Sequence, residues 1–273
     1  MNRLQILRRY VDRSKLGLEI GPSCNPIAPK AEGFLVEIVD RLSTEELKEH
    51  YSKHSVPIEN IENIDHVWRD GSLHCTVGEE ARFDWIIASH VIEHIPDIIS
   101  FLQSCTSLLN PGGTLALAIP DKRYCFDRYR PISGLSKIID SYTQKAHIHS
   151  EGTAAEYFLN IVRRGNGVIS WNKETITPYS FVHGLVDAQA AMNAIRREKC
   201  HLDLHAWVFI PNSFRLLLHD LFILGYTQLI VHELVDTIGH EFYVFLRKSE
   251  QIAPLNRLEV LQQIESDLYT ENR

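Results

Sequence analysis

The sequence of 273 residues has no long run of basic residues and no CxxC motif. Its formal net charge is −7, and no run of Lys or Arg is longer than two. Nucleic acid is therefore not expected as a partner, because binding to a phosphate backbone needs a clustered basic face. An odd number of widely spaced cysteines without CxxC indicates reduced thiols in a cytoplasmic protein, and excludes a disulfide framework or a zinc knuckle. The cysteines are Cys24, Cys75, Cys105, Cys125 and Cys200.

Long apolar segments are also missing. Residues 1–15 contain neither the apolar core nor the small-residue cleavage site of a secretory signal. The most apolar stretch, residues 214–226, is interrupted by Arg215, His219 and Asp220 and is too short to cross a bilayer. We therefore expect no membrane span. The hydrophobic fraction of 44% and the charged fraction of 23% are those of an ordinary globular chain.

Short apolar segments alternate with helical patterns in the first half of the chain. A Ser-Thr-Glu-Glu sequence at residues 43–46 predicts a capped helix start, and helical spacing over residues 96–109 ends at the breaker Asn110-Pro111-Gly112-Gly113. This alternation indicates a parallel sheet with crossover helices. Strands are predicted at residues 16–20, 33–39, 64–68, 84–89 and 114–119.

Residues 121–205 interrupt the alternation and are rich in His, Tyr, Arg and Asn. We interpret them as a substrate-side insertion in a single domain that covers residues 1–250. The alternation then resumes, with a helix over residues 214–224 and strands at residues 229–234 and 241–246. Leu and Ile recur at helical spacing near the C-terminus, so we predict a helical tail over residues 251–273.

Polar residues follow the predicted strands, and open sheets bind ligands beyond the carboxyl ends of their strands. Glu19 and Gly21 lie at the end of the first strand, and Asp40 ends the second, 19 residues after Gly21. A carboxylate at that position can accept hydrogen bonds from a ribose diol. The alternative for Asp40 is a solvated acid before a helix.

The segment FDWIIASHVIEHIPDIISFLQSCTSLLNPGGTLALAIPD, residues 83–121, closely resembles the middle of class I S-adenosylmethionine-dependent methyltransferases. The similarity is carried by Phe83-Asp84, Glu93-His94, the PGG turn at residues 111–113 and Pro120. It covers residues 16–121 well and residues 205–248 more loosely. The resemblance implies an α/β fold with a Rossmann-like, seven-stranded, mostly parallel sheet, helices on both faces, an antiparallel last strand and a cap after strand five.

The same resemblance implies S-adenosyl-L-methionine as the cofactor and assigns roles along the strand ends. Glu19 and the turn after Gly21 would lie at the methionine part, Asp40 at the ribose and Asp70 at the adenine. Glu93-His94 could line the site or only cap and pack a helix start. The predicted cofactor-binding residues are Glu19, Gly21, Ser23, Asn25, Asp40, Asp70, Gly71, Ser72, Leu73, Ser89, His90 and His94.

Methyl transfer from a sulfonium is an in-line displacement that depends on positioning, and an oxygen nucleophile also loses a proton. We predict His90, Asp121 and His205 as catalytic residues, with His90 as the base. The sequence PDKRYCFDRYRP, residues 120–131, resembles methyltransferases found with polysaccharide-assembly enzymes, which implies a sugar or glycan hydroxyl as the acceptor. The predicted acceptor-binding residues are Arg123, Tyr124, Arg128, His201, Asp203 and His205.

Two assignments in the insertion have alternatives. The basic side chains in the segment 120–131 could belong to a solvated loop. His201, Asp203 and His205 alternate along an extended segment, so they could line the acceptor pocket, serve only the structure, or bind a metal. We predict the pocket role and no metal, because the sequence shows no further ligand.

Two other functions compete with methyl transfer. A nicotinamide oxidoreductase would be expected to carry GxGxxG, which residues 18–26 (LEIGPSCNP) lack. A catalytically silent cofactor-binding module would use its C-terminal helix to join a partner. For the enzyme, that helix could pack within the chain, pair two chains, or associate with a glycosyltransferase.

Overall fold

The computed structural model describes residues 1–53 and 56–269. The strands in chain order are β1 Gly17–Ile20, β2 Val36–Asp40, β3 His66–Val67, β4 Phe83–Ser89, β5 Leu109–Pro120, β6 Val162–Arg164, β7 Tyr179–Phe181, β8 Leu229–Ile238 and β9 Glu241–Lys248. The α-helices are α1 Arg3–Leu7, α2 Thr44–Tyr51, α3 Leu73–Val77, α4 Ile98–Leu108, α5 Leu135–Thr143, α6 Glu151–Asn160, α7 Leu185–Glu198, α8 Pro211–Ile223 and α9 Arg257–Tyr269.

Seven strands form one sheet in the order β3-β2-β1-β4-β5-β9-β8. The pairs among β1 to β5 are parallel, whereas β9 runs antiparallel to both β5 and β8. This confirms the predicted α/β fold with an antiparallel last strand. All four residues of β1 are buried, as expected for a central strand covered on both faces.

The two faces of the sheet have separate cores because successive side chains of a strand point in opposite directions. Leu18 and Ile20 join the larger core with the apolar faces of α3, α4 and α8. Trp85 belongs to the other core, where α1 and residues 27–34 cover the sheet. Gly17 lies against Trp85 so closely that a Cβ atom at position 17 would be 2.1 Å from the ring.

The helix starts follow the local chemistry that the sequence predicts. Ser43 accepts a hydrogen bond from the N–H of Glu46, and the Glu46 side chain returns to the N–H of Ser43, which completes a capping box for α2. Asp97 caps α4 by accepting a hydrogen bond from the N–H of Ser100. The carboxyl ends of β1 to β5 lie along one edge of the sheet because these strands are parallel, and α2 and α4 begin after two of these ends.

The PGG sequence at residues 111–113 does not separate a helix from a strand in the predicted way. It lies inside β5, where the pairing with β4 shifts register between Phe83 and Trp85. Gly112 has φ +80°, and a Cβ atom at Gly113 would be 3.0 Å from the carbonyl oxygen of Asn110. The glycines therefore permit a bulge within the strand.

The insertion at residues 121–205 contains α5, α6, the β6–β7 hairpin and α7, and its ends meet beside the sheet. Asp121 forms a parallel bridge with Phe209, and the N–H of Lys122 donates to the carbonyl oxygen of Phe209 at 3.0 Å. The insertion is thus more regular than its sequence predicts.

The predicted tail helix is α9, and it packs within the chain. Val260 and Ile264 lie buried against Ile210 and Leu216, next to α8. The last four residues of the predicted tail lie outside the described residues. In the part of the chain that the structure describes, no helix is long and apolar enough to cross a membrane.

Candidate active site

The carboxyl ends of β1, β2 and β4 border one large cavity of about 2020 Å³. Ligand pockets commonly measure about 300–1,000 Å³, so this cavity has room for two ligands. All twelve predicted cofactor-binding residues line it. They are Glu19, Gly21, Ser23, Asn25, Asp40, Asp70, Gly71, Ser72, Leu73, Ser89, His90 and His94.

Glu19 shapes the turn that follows β1. Its carboxylate is buried and accepts hydrogen bonds from the backbone N–H groups of Ile27, at 2.5 Å, and Ala28, at 2.9 Å. Burial raises the pKa of Glu19 to about 7, although these two hydrogen bonds lower it in part. Glu19 therefore holds the far end of the turn against the sheet, a role that the sequence does not predict.

Two residues of this turn have left-handed backbone conformations, which glycine adopts without strain. Gly21 has φ +62° and Ser23 has φ +52°. A Cβ atom at Gly21 would be 3.0 Å from a methyl group of Val91. The absence of a side chain at Gly21 therefore allows the turn to approach the segment after β4 closely. Ser23 adopts the same left-handed backbone conformation.

Asp40 ends β2 at the cavity. Its Oδ1 accepts hydrogen bonds from the N–H groups of Arg41, at 2.7 Å, and Leu42, at 3.5 Å. Burial raises the pKa of Asp40, and the backbone N–H groups around it lower the pKa in part. The side chain is thus fixed in direction at the position where a carboxylate can bind a diol.

The segment after β3 forms a short wall of the cavity. Asp70 is exposed at its rim, and Ser72 caps α3 by accepting a hydrogen bond from the N–H of Cys75. The indole N–H of Trp68 donates to the carbonyl oxygen of Gly71 at 3.0 Å, and its ring stacks on Phe101. These contacts fix residues 70–73 beside the ends of β1 and β2.

His90 follows β4 in a left-handed conformation, with φ +54°. Its Nε2 lies 2.6 Å from a carboxylate oxygen of Glu241, and its Nδ1 lies 3.5 Å from Glu93. Burial lowers the pKa of His90, but the hydrogen bond with Glu241 and the charges of Glu93 and Glu241 outweigh burial and raise it above the usual value. The surroundings therefore stabilise the imidazolium form.

Arg3 closes this side of the cavity from α1. Its guanidinium donates to Glu241 at 2.8 Å and to the hydroxyl of Ser89. The hydroxyl of Tyr243 donates to the same oxygen of Glu241 at 2.7 Å. Burial raises the pKa of Glu241, but His90 and Arg3 outweigh burial and lower it to about 2. Arg3 and Glu241 line the cavity but are not among the predicted site residues. No local sequence signal connects residue 3 with residue 241.

A second group of polar side chains lies next to His90. His205 Nδ1 is 2.5 Å from Asp127, which also forms an ion pair with Arg130 at 2.7 Å. Burial raises the pKa of Asp127, but the charges of His205 and Arg130 outweigh burial and keep it below the usual value. The rings of His94 and His205 meet edge to face, with centroids 4.7 Å apart.

The predicted acceptor-binding residues divide into two sets. His201 and Asp203 line the cavity, and His205 lies behind His94. Within the described part of the chain, the cavity lining does not include Arg123, Tyr124 or Arg128. Tyr124 is buried, and the main-chain carbonyl of Arg128 accepts a hydrogen bond from Lys122.

Asp121, predicted as catalytic, is also away from the cavity lining of the described residues. It is fully buried and forms an ion pair with Arg123 at 2.6 Å. It also accepts a hydrogen bond from the hydroxyl of Thr237 at 2.6 Å. The carboxylate of Asp121 and the guanidinium of Arg123 are thus engaged with each other at the start of the insertion.

A family model described as a methyltransferase domain matches residues 5–163, more than half of the chain. The fold and the strand-end cavity are those of a class I S-adenosylmethionine-dependent methyltransferase, with S-adenosyl-L-methionine as the cofactor. The chain belongs to this methyltransferase family.

Curated relatives match shorter parts of the chain. The mitochondrial ubiquinone biosynthesis O-methyltransferase of Homo sapiens is 43% identical over 56 residues, which is 20% of this chain and 15% of that protein. The ubiquinone biosynthesis O-methyltransferase of Parvibaculum lavamentivorans is 31% identical over 119 residues, which is 42% of this chain and 38% of that protein. The chain thus spans well under half the length of these two relatives.

Among solved structures, an S-adenosylmethionine-dependent methyltransferase from Mesorhizobium loti is 10% identical, with a TM-score of 0.47. That match covers 90% of this chain and 99% of the other. The 1,6-didemethyltoxoflavin-N1-methyltransferase of Burkholderia thailandensis is 14% identical, with a TM-score of 0.44, and covers 90% of this chain and 76% of the other.

Proposed function

We propose that the protein transfers a methyl group from S-adenosylmethionine to a hydroxyl group of a sugar, a glycan or another small acceptor. One observation carries this proposal. A single cavity of about 2020 Å³ is lined by all twelve predicted cofactor-binding residues and also by His201 and Asp203 of the insertion. The two sets of residues therefore border one space, as the ligands of a transfer reaction require.

In this proposal the cofactor lies across the carboxyl ends of β1 and β2. Asp40 accepts hydrogen bonds from the ribose hydroxyls, and residues 70–73 border the adenine. The turn at Gly21 approaches the methionine part, where its left-handed backbone leaves no side chain between the turn and Val91. Glu19 acts through the backbone of Ile27 and Ala28, which it holds in place.

His90 is the proposed base at the methyl-transfer centre. His90 acts as the base in its neutral form and takes the acceptor proton at Nδ1, the nitrogen that is not bonded to Glu241; the carboxylates of Glu241, at 2.6 Å, and Glu93, at 3.5 Å, then stabilise the resulting imidazolium. His205 is a positioning residue here, because it reaches the cavity only through His94. His90→Ala should lower turnover far more than cofactor affinity; unchanged turnover would remove His90 from this role.

The polar character of the second half of the cavity supports a hydroxyl-rich acceptor. His201, Asp203, His147 and Lys145 line it, and each offers hydrogen bonds that suit a sugar. The names of the curated relatives, O-methyltransferases of ubiquinone biosynthesis, support oxygen as the methylated atom. The similarity of residues 120–131 to methyltransferases of polysaccharide assembly supports a glycan.

Calorimetric titration of the full chain with S-adenosylmethionine, S-adenosylhomocysteine and NAD tests the proposal at its first step. We expect both sulfur compounds to bind and NAD not to bind; failure of both would refute it. Nucleotide sugars and oligosaccharides, assayed with cofactor labelled in its methyl group, then identify the acceptor. Cofactor binding without transfer to any hydroxyl acceptor would favour the silent cofactor-binding module.

The same proposal includes one domain over residues 1–250 with a helical tail, in the cytoplasm. It also includes association of two chains, or of this chain with a glycosyltransferase, through the exposed face of α9. Leu258 and Tyr269 on this helix are 66% and 68% exposed, whereas Val260 is buried. Light scattering of the full chain and of Leu258→Ser tests self-association; an unchanged monomer in both would exclude the dimer.

A further inference from the structure

Three metal-ligating side chains meet at the wall of the cavity, on the side of the insertion. Glu93 and His94 lie in the turn after β4, and His205 follows α7. One ligand atom from each lies within 4.8 Å of the others. Because His205 is more than a hundred residues from the other two, the fold alone brings them together.

Glu93 is the unusual member of this group. It is fully buried, and neither carboxylate oxygen has a hydrogen-bond partner among the residues that the structure describes. Burying an unpaired carboxylate is costly, and buried polar groups are nearly always paired. It lies within ion-pair distance of two imidazoles, His90 Nδ1 at 3.5 Å and His205 Nε2 at 3.9 Å. The space between Glu93 and His205 thus favours a cation.

A carboxylate holds the imidazole of His205 through Nδ1, which is 2.5 Å from Asp127. His94 Nδ1 lies 2.8 Å from Asp203, at ion-pair distance but without the alignment of a hydrogen bond. Metal-binding histidines commonly donate one ring N–H to a carboxylate, which fixes the tautomer and leaves the other nitrogen as the ligand. On His205 the nitrogen left is Nε2.

We propose that this cluster binds a divalent transition-metal ion of the zinc type, through Glu93, His205 Nε2 and a ring nitrogen of His94. Two imidazoles and one carboxylate suit Zn²⁺, whereas Ca²⁺ and Mg²⁺ prefer sites made of oxygen atoms. Zinc–ligand bonds of about 2.0–2.2 Å place tetrahedral ligands roughly 3.4 Å apart. The 3.9 Å between Glu93 and His205 needs to close by about 0.5 Å, and a pair at the outer limit of the group, 4.8 Å, by about 1.4 Å.

This ligand set differs from the alternative raised by the sequence, His201, Asp203 and His205. Asp203 instead contacts His94, and the ring of His201 lies beside that of His149, with centroids 5.4 Å apart. Because Glu93 and His205 are enclosed by protein and His94 lines the cavity, an open coordination position would face the cavity. The proposed metal site departs from the prediction of no metal and goes beyond the proposed function.

The test is calorimetric titration of Zn²⁺ into the full chain after treatment with a chelator, with bound zinc counted by elemental analysis. We expect one Zn²⁺ per chain. His205→Ala and Glu93→Gln should each weaken binding by about 100-fold or more, since loss of an outer carboxylate alone costs about 10- to 100-fold. Asp203→Asn should show that smaller loss. His232→Ala, at an exposed position on β8, is the matched control and should bind as the wild type does.

No zinc binding by the wild-type chain, or undiminished binding by His205→Ala, would overturn the proposal. So would loss of zinc in His240→Ala with retention in His205→Ala, because the ion would then belong to the group formed by His90, His240 and Glu241. If the buried variants do not fold, as judged by circular dichroism, the partly exposed ligand variant His94→Ala decides, and undiminished zinc binding by it would overturn the proposal. Titration of S-adenosylmethionine into the same metal-free protein tests the proposed function separately.

Discussion

Replacing Gly21 by valine tests the geometry of the cofactor turn most directly. At φ +62° any side chain strains the backbone, at about 1–2 kcal/mol. The new Cβ would also be 3.0 Å from Val91, so its two methyl groups must move the turn or enter the cavity. Overpacking of this kind costs about 1–3 kcal/mol, and a loss of binding free energy of that size weakens cofactor binding roughly 5- to 150-fold.

The assay for Gly21→Val is calorimetric titration with S-adenosylhomocysteine, combined with thermal unfolding. Gly33→Val is the matched control, because Gly33 has φ +83° but no neighbouring atom within 4 Å of an added Cβ, and it does not line the described cavity. Both variants should lose stability, and only Gly21→Val should also lose cofactor affinity. Equal affinity in the two variants would refute the role of the turn.

Three further changes test the core, the ribose contact and the buried acid. Gly17→Ala should lower the free energy of unfolding by about 1–3 kcal/mol in thermal melts, because its Cβ would be 2.1 Å from the Trp85 ring; an unchanged melting temperature would contradict the packing. Asp40→Asn should weaken the binding of S-adenosylmethionine roughly 10- to 150-fold in calorimetry, because charge-assisted hydrogen bonds to the ribose are lost; undiminished binding would exclude the ribose contact. The pKa of Glu19 is raised in the folded state from 4.5 to about 7, so the folded protein binds the proton more tightly and stability should fall as pH rises from about 4.5 through 7. Chemical denaturation should show a fall of at most about 3 kcal/mol that Glu19→Gln removes; equal pH slopes would contradict this assignment.

The sheet and the strand-end residues that border the cavity are predictable from the sequence because their signals are local. Apolar runs mark the buried strands, and caps such as Ser43 mark the helix starts. Once the strands are known to be parallel, residues that follow them must share one edge of the sheet. For this reason Gly21, Asp40 and His90 are predicted together and found together.

The contacts of residues 120–131 are predicted less well because several of them join distant parts of the chain. The density of charge in residues 120–131 suggests an acceptor site, but Asp121 and Arg123 pair with each other. Asp127, in the same segment, pairs with His205 across 78 positions, and periodicity carries no signal for such a pair. Expectations based on local composition therefore identified the segment but not its contacts.

The bridge between Asp121 and Phe209 has a consequence for how this enzyme can diversify. Residues 121–205 leave and rejoin the rest of the chain at adjacent points, because Asp121, directly after β5, pairs with Phe209, just before the start of α8. Segments with neighbouring ends are the ones that tolerate exchange and insertion. The length and composition of residues 121–205 can therefore change while the ends of the parallel strands keep their spacing.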